Sequence, residues 1–270
     1  MKENDAFISF ENNKAGLIFD DSSDEKYPIK YYNVINGKGL TPRKDCSYYG
    51  FCYEGSTVLN DFNNIREGMY FSSSDLLSLT EYPVDSSMHV TDHKIIIIEV
   101  YHNKGIYPET NYKAMNLIGG PIEAEGRLKY IDGCTDSLLI PPVKLGDPCF
   151  NHLHFPSDID QTPHTHPSHR IGIVAKGNGE CLTPFGNLPL TEGMIFVIKQ
   201  WNGKDYSKGL DGKLHPNGTH SFKTPADTAM DVIAFHPDSD FGATDINHPM
   251  INRTIVDGVS ANSLDHIRTK

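Results

Sequence analysis

An all-β chain of two lobes, each a barrel or sandwich of short strands, is the fold class the sequence predicts. Three observations carry that reading. Segments 172–176, 193–198 and 230–235 are dense in the β-branched and aromatic residues that pack well on a pleated surface. Turn signals separate them, Gly177-Asn178-Gly179 and Pro216-Asn217-Gly218 among them. The chain also repeats itself, and a repeat sets the domain organisation.

The repeat runs in order along the chain. Residues 40–55 match 161–177 once one gap is allowed, sharing Thr-Pro near the start and glycine at the end. Glu67-Gly68-Met69 matches Glu192-Gly193-Met194, an offset of 125 (194 minus 69). Residues 98–102 parallel 232–236, each ending in a histidine, and Asp132-Gly133 parallels Asp257-Gly258 at the same 125 offset. Four matches in one order predict a duplication, with lobes at 1–133 and 134–270. Helical periodicity is scarce: 74–79 and the last ten residues read as short helices at most. No Gly/Ser-rich linker divides the lobes, so they are expected to pack against each other.

Composition narrows the function. The 35 acidic residues against 24 basic ones give a formal net charge of −11. Such a surface repels phosphate backbones and anionic lipid headgroups, so neither a nucleic-acid nor a membrane partner is expected. Hydrophobic residues at 38% over 270 positions suffice for a real core. The densest apolar run, Ile95-Ile96-Ile97-Ile98, falls far short of the roughly 20 residues that span a bilayer. The opening Met1-Lys2-Glu3-Asn4-Asp5 is too polar for a signal peptide, and five cysteines, never in a CxxC pair, read as reduced thiols. Both point to a cytoplasmic protein.

Histidine is the anomaly. Ten of the 13 lie after residue 133, five of them between His152 and His169. In an extended strand, residues two apart share a face, so the imidazoles of His164-Thr165-His166 aim at one place. His220 follows a Pro/Gly turn into a further strand. Two ligands from one strand and a third from a neighbour can hold a divalent metal from one side and leave positions open for water, substrate or dioxygen.

These residues resemble the cupin superfamily. His164, His166 and the closing Gly177 correspond to its first motif, and Gly209, Pro216, Gly218 and His220 to its second. No glutamate follows the HxH pair, where His169 or Arg170 stands instead, and one residue is missing between Gly218 and His220. With the duplication, the resemblance implies two tandem cupin barrels (double-stranded β-helix, jelly-roll). The second lobe would bind metal. In the first, Arg43, Asp45 and a position near Ser86 replace the ligands, which leaves a degenerate lobe. The resemblance to gentisate-type dioxygenases, two-lobed cupins with three-histidine iron sites and a following arginine, is partial because their arginine sits further along.

Three neutral imidazoles leave the whole +2 charge on a bound ion, which favours an anionic, chelating substrate. Positions 164, 166, 168 and 170 share a strand face, so Arg170 is expected to hold a substrate carboxylate. Pro167 opens an alternative in which a bulge turns His169 inward as ligand or acid/base. His154 is a further candidate, as fourth ligand or as partner of the cavity; it shares a strand face with His152. His215 replaces His220 if the register shifts, and His236, paralleled by His102 in the lobe without ligands, reads as structural. Segment 199–213, with Trp201 and Tyr206, reads as a flap over the mouth. P-loop, GxGxxG, GxSxG and HExxH motifs are absent, against nucleotide-phosphate chemistry, α/β-hydrolases and zincin proteases.

The expected function is a mononuclear metalloenzyme of the oxidoreductase class, an Fe(II) dioxygenase of a small carboxylate. The ion is Fe(II) first, Zn(II) next, with Mn(II) or Ni(II) able to serve. Two alternatives remain: a zinc- or nickel-type Lewis-acid isomerase, lyase or condensing enzyme, and a non-catalytic binding protein. The expected partners are a small anionic molecule and, through sheet edges, a second copy of the chain as a homodimer.

Overall fold

The computed structural model describes residues 1–60, 63–75, 77–79, 90–244 and 248–267. α-Helix among them is confined to Tyr107–Thr110 and Pro249–Arg253, and every strand pairing is antiparallel. No helix among the described residues is long and apolar enough to cross a membrane. The chain has a two-lobed all-β architecture.

The first lobe is a six-stranded sheet in the order Leu117–Gly119, Tyr70–Ser73, Cys46–Glu54, Lys94–Tyr101, Ile29–Ile35, Gly16–Asp21. The second lobe's sheet has ten strands. Its central run is Ile195–Ile198, Arg170–Leu182, Met230–His236, Cys149–Phe155 and Thr135–Ile140. Leu188–Thr191 and Ser221–Lys223 pair with the far half of the long Arg170–Leu182 strand and curl the sheet towards closure.

The strands do not divide at residue 133. Phe7–Phe10 pairs with Ile195–Ile198, and Leu128–Lys129 with Thr135–Ile140, so pieces of the predicted first lobe lie in the second lobe's sheet. The crossing covers a strand edge that would otherwise offer bare amides to other chains, and it buries Ala6 and Phe7 in the second lobe's core. The predicted helix over 74–79 includes Leu76, which is outside the described residues; Leu79 bridges Leu59 as extended chain. At the C-terminus the described residues form only single 3-10 turns at Ala261–Ser263 and Asp265–Ile267; residues 268–270 lie outside them.

Period-two alternation explains the four isoleucines. Ile95 and Ile97 point into the first lobe with Val34, Tyr48 and Phe71. Ile96 and Ile98 point the other way and share a core with Phe150, Ile171, Ile173 and Phe235 of the second lobe. All four are fully buried, and a strand buried on both faces needs apolar residues at every position. The second lobe repeats the device: Val232 and Ala234 face inward, Ile233 and Phe235 face the first lobe. The duplication also shows in a shared cross-strand pair. Gly50 lies opposite Phe71, Gly172 lies opposite Phe196, and in each case the phenylalanine ring lies on the glycine.

Candidate metal centre

His164 and His220 are paired across a two-residue antiparallel bridge, each amide donating to the other's carbonyl at 2.9 and 3.0 Å. His166 is two residues along on the same face. The ring centroids are 4.5 Å apart for His164 and His220, 5.0 Å for His164 and His166, and 5.2 Å for His166 and His220. One nitrogen from each falls within 4.8 Å of the other two.

The turn before His220 is what aims it. Gly218 has φ +76°, and a Cβ there would stand 2.2 Å from the Lys199 carbonyl oxygen, so only glycine fits. The tautomers follow from the backbone. Nδ1 of His164 lies 2.8 Å from the Thr162 carbonyl oxygen, and Nδ1 of His220 lies 2.8 Å from that of Gly218. A carbonyl only accepts, so both Nδ1 atoms carry the proton and both Nε2 atoms present a lone pair. Such outer hydrogen bonds orient metal-ligating imidazoles.

Electrostatics keep His166 and His220 neutral. Burial, reinforced by the His164 imidazole, lowers the His220 pKa to about 3. Burial also lowers His166 far below the usual histidine range, with Arg170 and the two other imidazoles adding to the effect. Unprotonated rings are the form a cation needs.

Arg170 lines the same cavity. One of its terminal nitrogens, Nη1, donates to Asp238 at 3.0 Å and also to Ser168, while its buried Nε finds no partner among the described residues. His169, the alternative raised by Pro167, is not in the cavity. Strand alternation turns it to the outer face, where Nδ1 accepts the Gln200 amide at 3.0 Å and the ring stands edge-on to Phe19 of the first lobe. His154 is not there either: Leu153 and Phe155 line the cavity, and His154 points through the opposite face to Asp231. His215 sits in an outer hairpin, bonded to Asp211 at 3.0 Å.

The expectation of a structural His236 is corrected. The cross-strand pairs Gly172–Ala234 and Gly50–Ile97 make Ala234 the counterpart of Ile97, so two residues on, His236 corresponds to Glu99 rather than to His102. His236 lines the cavity beside Arg170, whereas His102 faces away and bonds Ser47 at 2.7 Å. Val232, Ala234 and His236 fall on one face by simple parity, and that signal was available in the sequence. Tyr130, Asp136 and Gln161, which also line the cavity, carried no such signal.

The inner cavity holds about 70 Å³ and is walled by Leu153, Phe155, Ile198, Phe222 and Val232. It opens to a vestibule of about 470 Å³ that shares His166, Arg170, His236, Tyr130 and Asp136. The predicted flap, 199–213, holds one strand of a hairpin, Tyr206–Lys208, whose partner Leu214–Pro216 follows directly after it, and the Trp201 amide donates to the His166 carbonyl. In the first lobe Arg43 and Asp45 form a surface ion pair at 3.1 Å, with no imidazole cluster among the described residues; Ser86 lies outside them.

No family model and no curated protein matches the chain. Solved structures do. A putative glyoxylate-induced protein from Pseudomonas aeruginosa is similar with a TM-score of 0.55 at 10% identity, over 88% of this chain and 82% of that one. Protein Ylba from E. coli is similar with a TM-score of 0.53 at 12% identity, over 87% and 86%. A point mutant of salicylate 1,2-dioxygenase from Pseudoaminobacter salicylatoxidans gives 0.51 at 10% identity, over 84% and 76%. Likeness at this identity is a likeness of fold.

Proposed function

We propose that the second lobe holds one divalent transition-metal ion on His164, His166 and His220, and that the chain is an Fe(II)-dependent oxygenase of a small carboxylate. The observation that carries this reading is the tautomer arrangement: two imidazoles are fixed by backbone carbonyls so that their Nε2 lone pairs converge with His166. The donor set fits an iron- or zinc-class ion, since imidazole suits both and no thiolate or carboxylate competes in the triad. The chemistry the ion supplies is that of a redox-active Lewis acid with open coordination positions.

The chain's own residues select and orient. Arg170 offers its unpaired Nε–H to a substrate carboxylate, while Asp238 and Ser168 hold the other end of the guanidinium in place. His236 stays neutral, because burial and the neighbouring Arg170 hold its pKa well below the usual range, and it offers the substrate an uncharged hydrogen-bonding imidazole. Leu153, Phe155 and Phe222 keep bulk water from the inner end. Size limits the substrate. An apolar cavity of about 150 Å³ binds benzene, so an inner space of about 70 Å³ favours a short acid over an aromatic one. A salicylate dioxygenase among the similar folds supports carboxylate oxygenation as a class, and the cavity size argues against salicylate itself.

The test is anaerobic reconstitution with Fe(II), followed by oxygen uptake over short hydroxy-, keto- and amino-acids and their aromatic analogues. Uptake that needs iron and favours the short acids is expected. Stoichiometric zinc in the purified protein with no iron-dependent turnover would overturn the assignment in favour of Lewis-acid chemistry.

A further inference from the structure

We infer that the second lobe carries another transition-metal site, on the outer face of the same sheet, formed by His152, His154 and Asp231. The geometry is set by the pairing of Cys149–Phe155 with Met230–His236. His154 lies directly opposite Asp231, and His152 is two residues along on the same face. His152 Nε2 approaches Asp231 Oδ1 at 2.9 Å and His154 Nδ1 approaches the same oxygen at 2.7 Å. Two ligands about 2.1 Å from one ion with a right angle between them lie about 3 Å apart. The three side chains therefore already stand at ligand spacing, with one donor atom from each within 4.8 Å of the other two.

Burial sharpens the argument. His152, His154 and Asp231 are 0%, 8% and 7% exposed. His152 Nδ1 is buried and finds no hydrogen-bond partner among the described residues, so the bonding of this cluster is incomplete as it stands. His152 borders a groove of about 480 Å³ lined by Tyr70, Pro121 and Glu123 on one side and by Ser137 and Leu138 on the other. An ion has a route in through that groove, along which Glu123 is paired with Arg127. Two imidazoles and one carboxylate select zinc, cobalt, nickel or iron over calcium or magnesium. The barrel triad lies on the opposite side of the sheet, because Leu153 and Val232 of these same two strands face that cavity. The two sites cannot share one ion.

Cobalt(II), titrated into full-length protein and followed by its visible d–d bands, tests this independently of the barrel. The variant with His164→Ala and His166→Ala is expected to keep one equivalent, and adding His154→Gln is expected to remove it. His154→Gln retains a donor towards Asp231, and circular dichroism checks its fold. A second removal, Asp231→Asn, should give the same loss. The inference is overturned if the barrel variant binds no cobalt, or if its equivalent survives both His154→Gln and Asp231→Asn.

Discussion

His220 and Arg170 are the residues on which the proposed chemistry turns, and each makes its own prediction. His220→Ala removes a buried imidazole whose Nε2 faces two others, so the barrel site should lose its ion while the outer His152 cluster keeps its own. Metal analysis of a variant lacking His154 isolates the barrel stoichiometry. Arg170→Gln removes a charged donor. A hydrogen bond to a charged group is worth about 1.5–3 kcal/mol, so KM for a short acid should rise roughly 10- to 100-fold, with a far smaller change in kcat. An unchanged KM would remove Arg170 from substrate binding. The pair His164 and His166, and the place of Arg170, were legible because a strand has period two. His236 was missed for a related reason: matching the repeats by their terminal histidines shifted the register by three residues (102 minus 99), and an odd shift exchanges the faces of a strand. Asp231 gave no signal at all, since its role depends on which strand lies beside it.

At the level of strands and turns, local pattern gave the elements and hid their partners. The strand segments, the turns and the Gly50 and Gly172 positions all follow from composition and repetition. That Phe7–Phe10 joins a strand near residue 195 does not, because pairing across so long a separation leaves no local mark. The isoleucine run was equally mute: four apolar residues in a row fit any buried element, and only the second lobe lying behind them explains the even positions. The turn at Gly218 yields a prediction. Alanine there meets both the left-handed backbone penalty and the Lys199 carbonyl, whereas Gly212, at φ +80°, has only the Lys208 side chain 3.9 Å away. Gly212→Ala should cost about 1 kcal/mol. Gly218→Ala should cost about 2–3 kcal/mol and also weaken metal binding, because the same turn aims His220. Urea unfolding with a parallel metal titration separates the two; equal costs and unchanged affinity would mean the turn does not position the ligand.

For the molecule as a whole, the neutral imidazoles set how stability follows pH. Burial holds His166, His220 and His236 below the usual histidine pKa, with His220 at about 3. In the unfolded chain each returns to about 6.5. Above that value neither state binds the proton, and the folded protein keeps its full stability. Below it the unfolded chain takes up protons that the folded protein refuses, so stability falls with pH, by up to about 1.4 kcal/mol per unit for each ring. Asp21 works the other way. Burial, with Asp24 and Asp20 adding to it, raises its pKa to about 6, so between about 6 and 4 the folded state gains protons and stability as pH falls. Burial also lowers the pKa of His102 and His169 and raises that of Glu99, Asp136 and Asp147. The rings begin to cost stability below about 6.5, above the ordinary carboxylate range, so metal-free protein should unfold at progressively lower urea from pH 7 to pH 5. His236→Gln removes one of these rings without touching the proposed ligand triad. Its urea midpoint should therefore depend less steeply on pH than the parent's, whatever the variant's stability at pH 7. Protein loaded with zinc should hold its midpoint to lower pH than the metal-free form and then lose it abruptly, since protons must displace the ion before the rings charge. Parallel pH profiles for parent and His236→Gln would show that His236 is protonated as readily in the folded cavity as in the unfolded chain, and the reading of His236 as a ring held neutral by its surroundings would fall with that result.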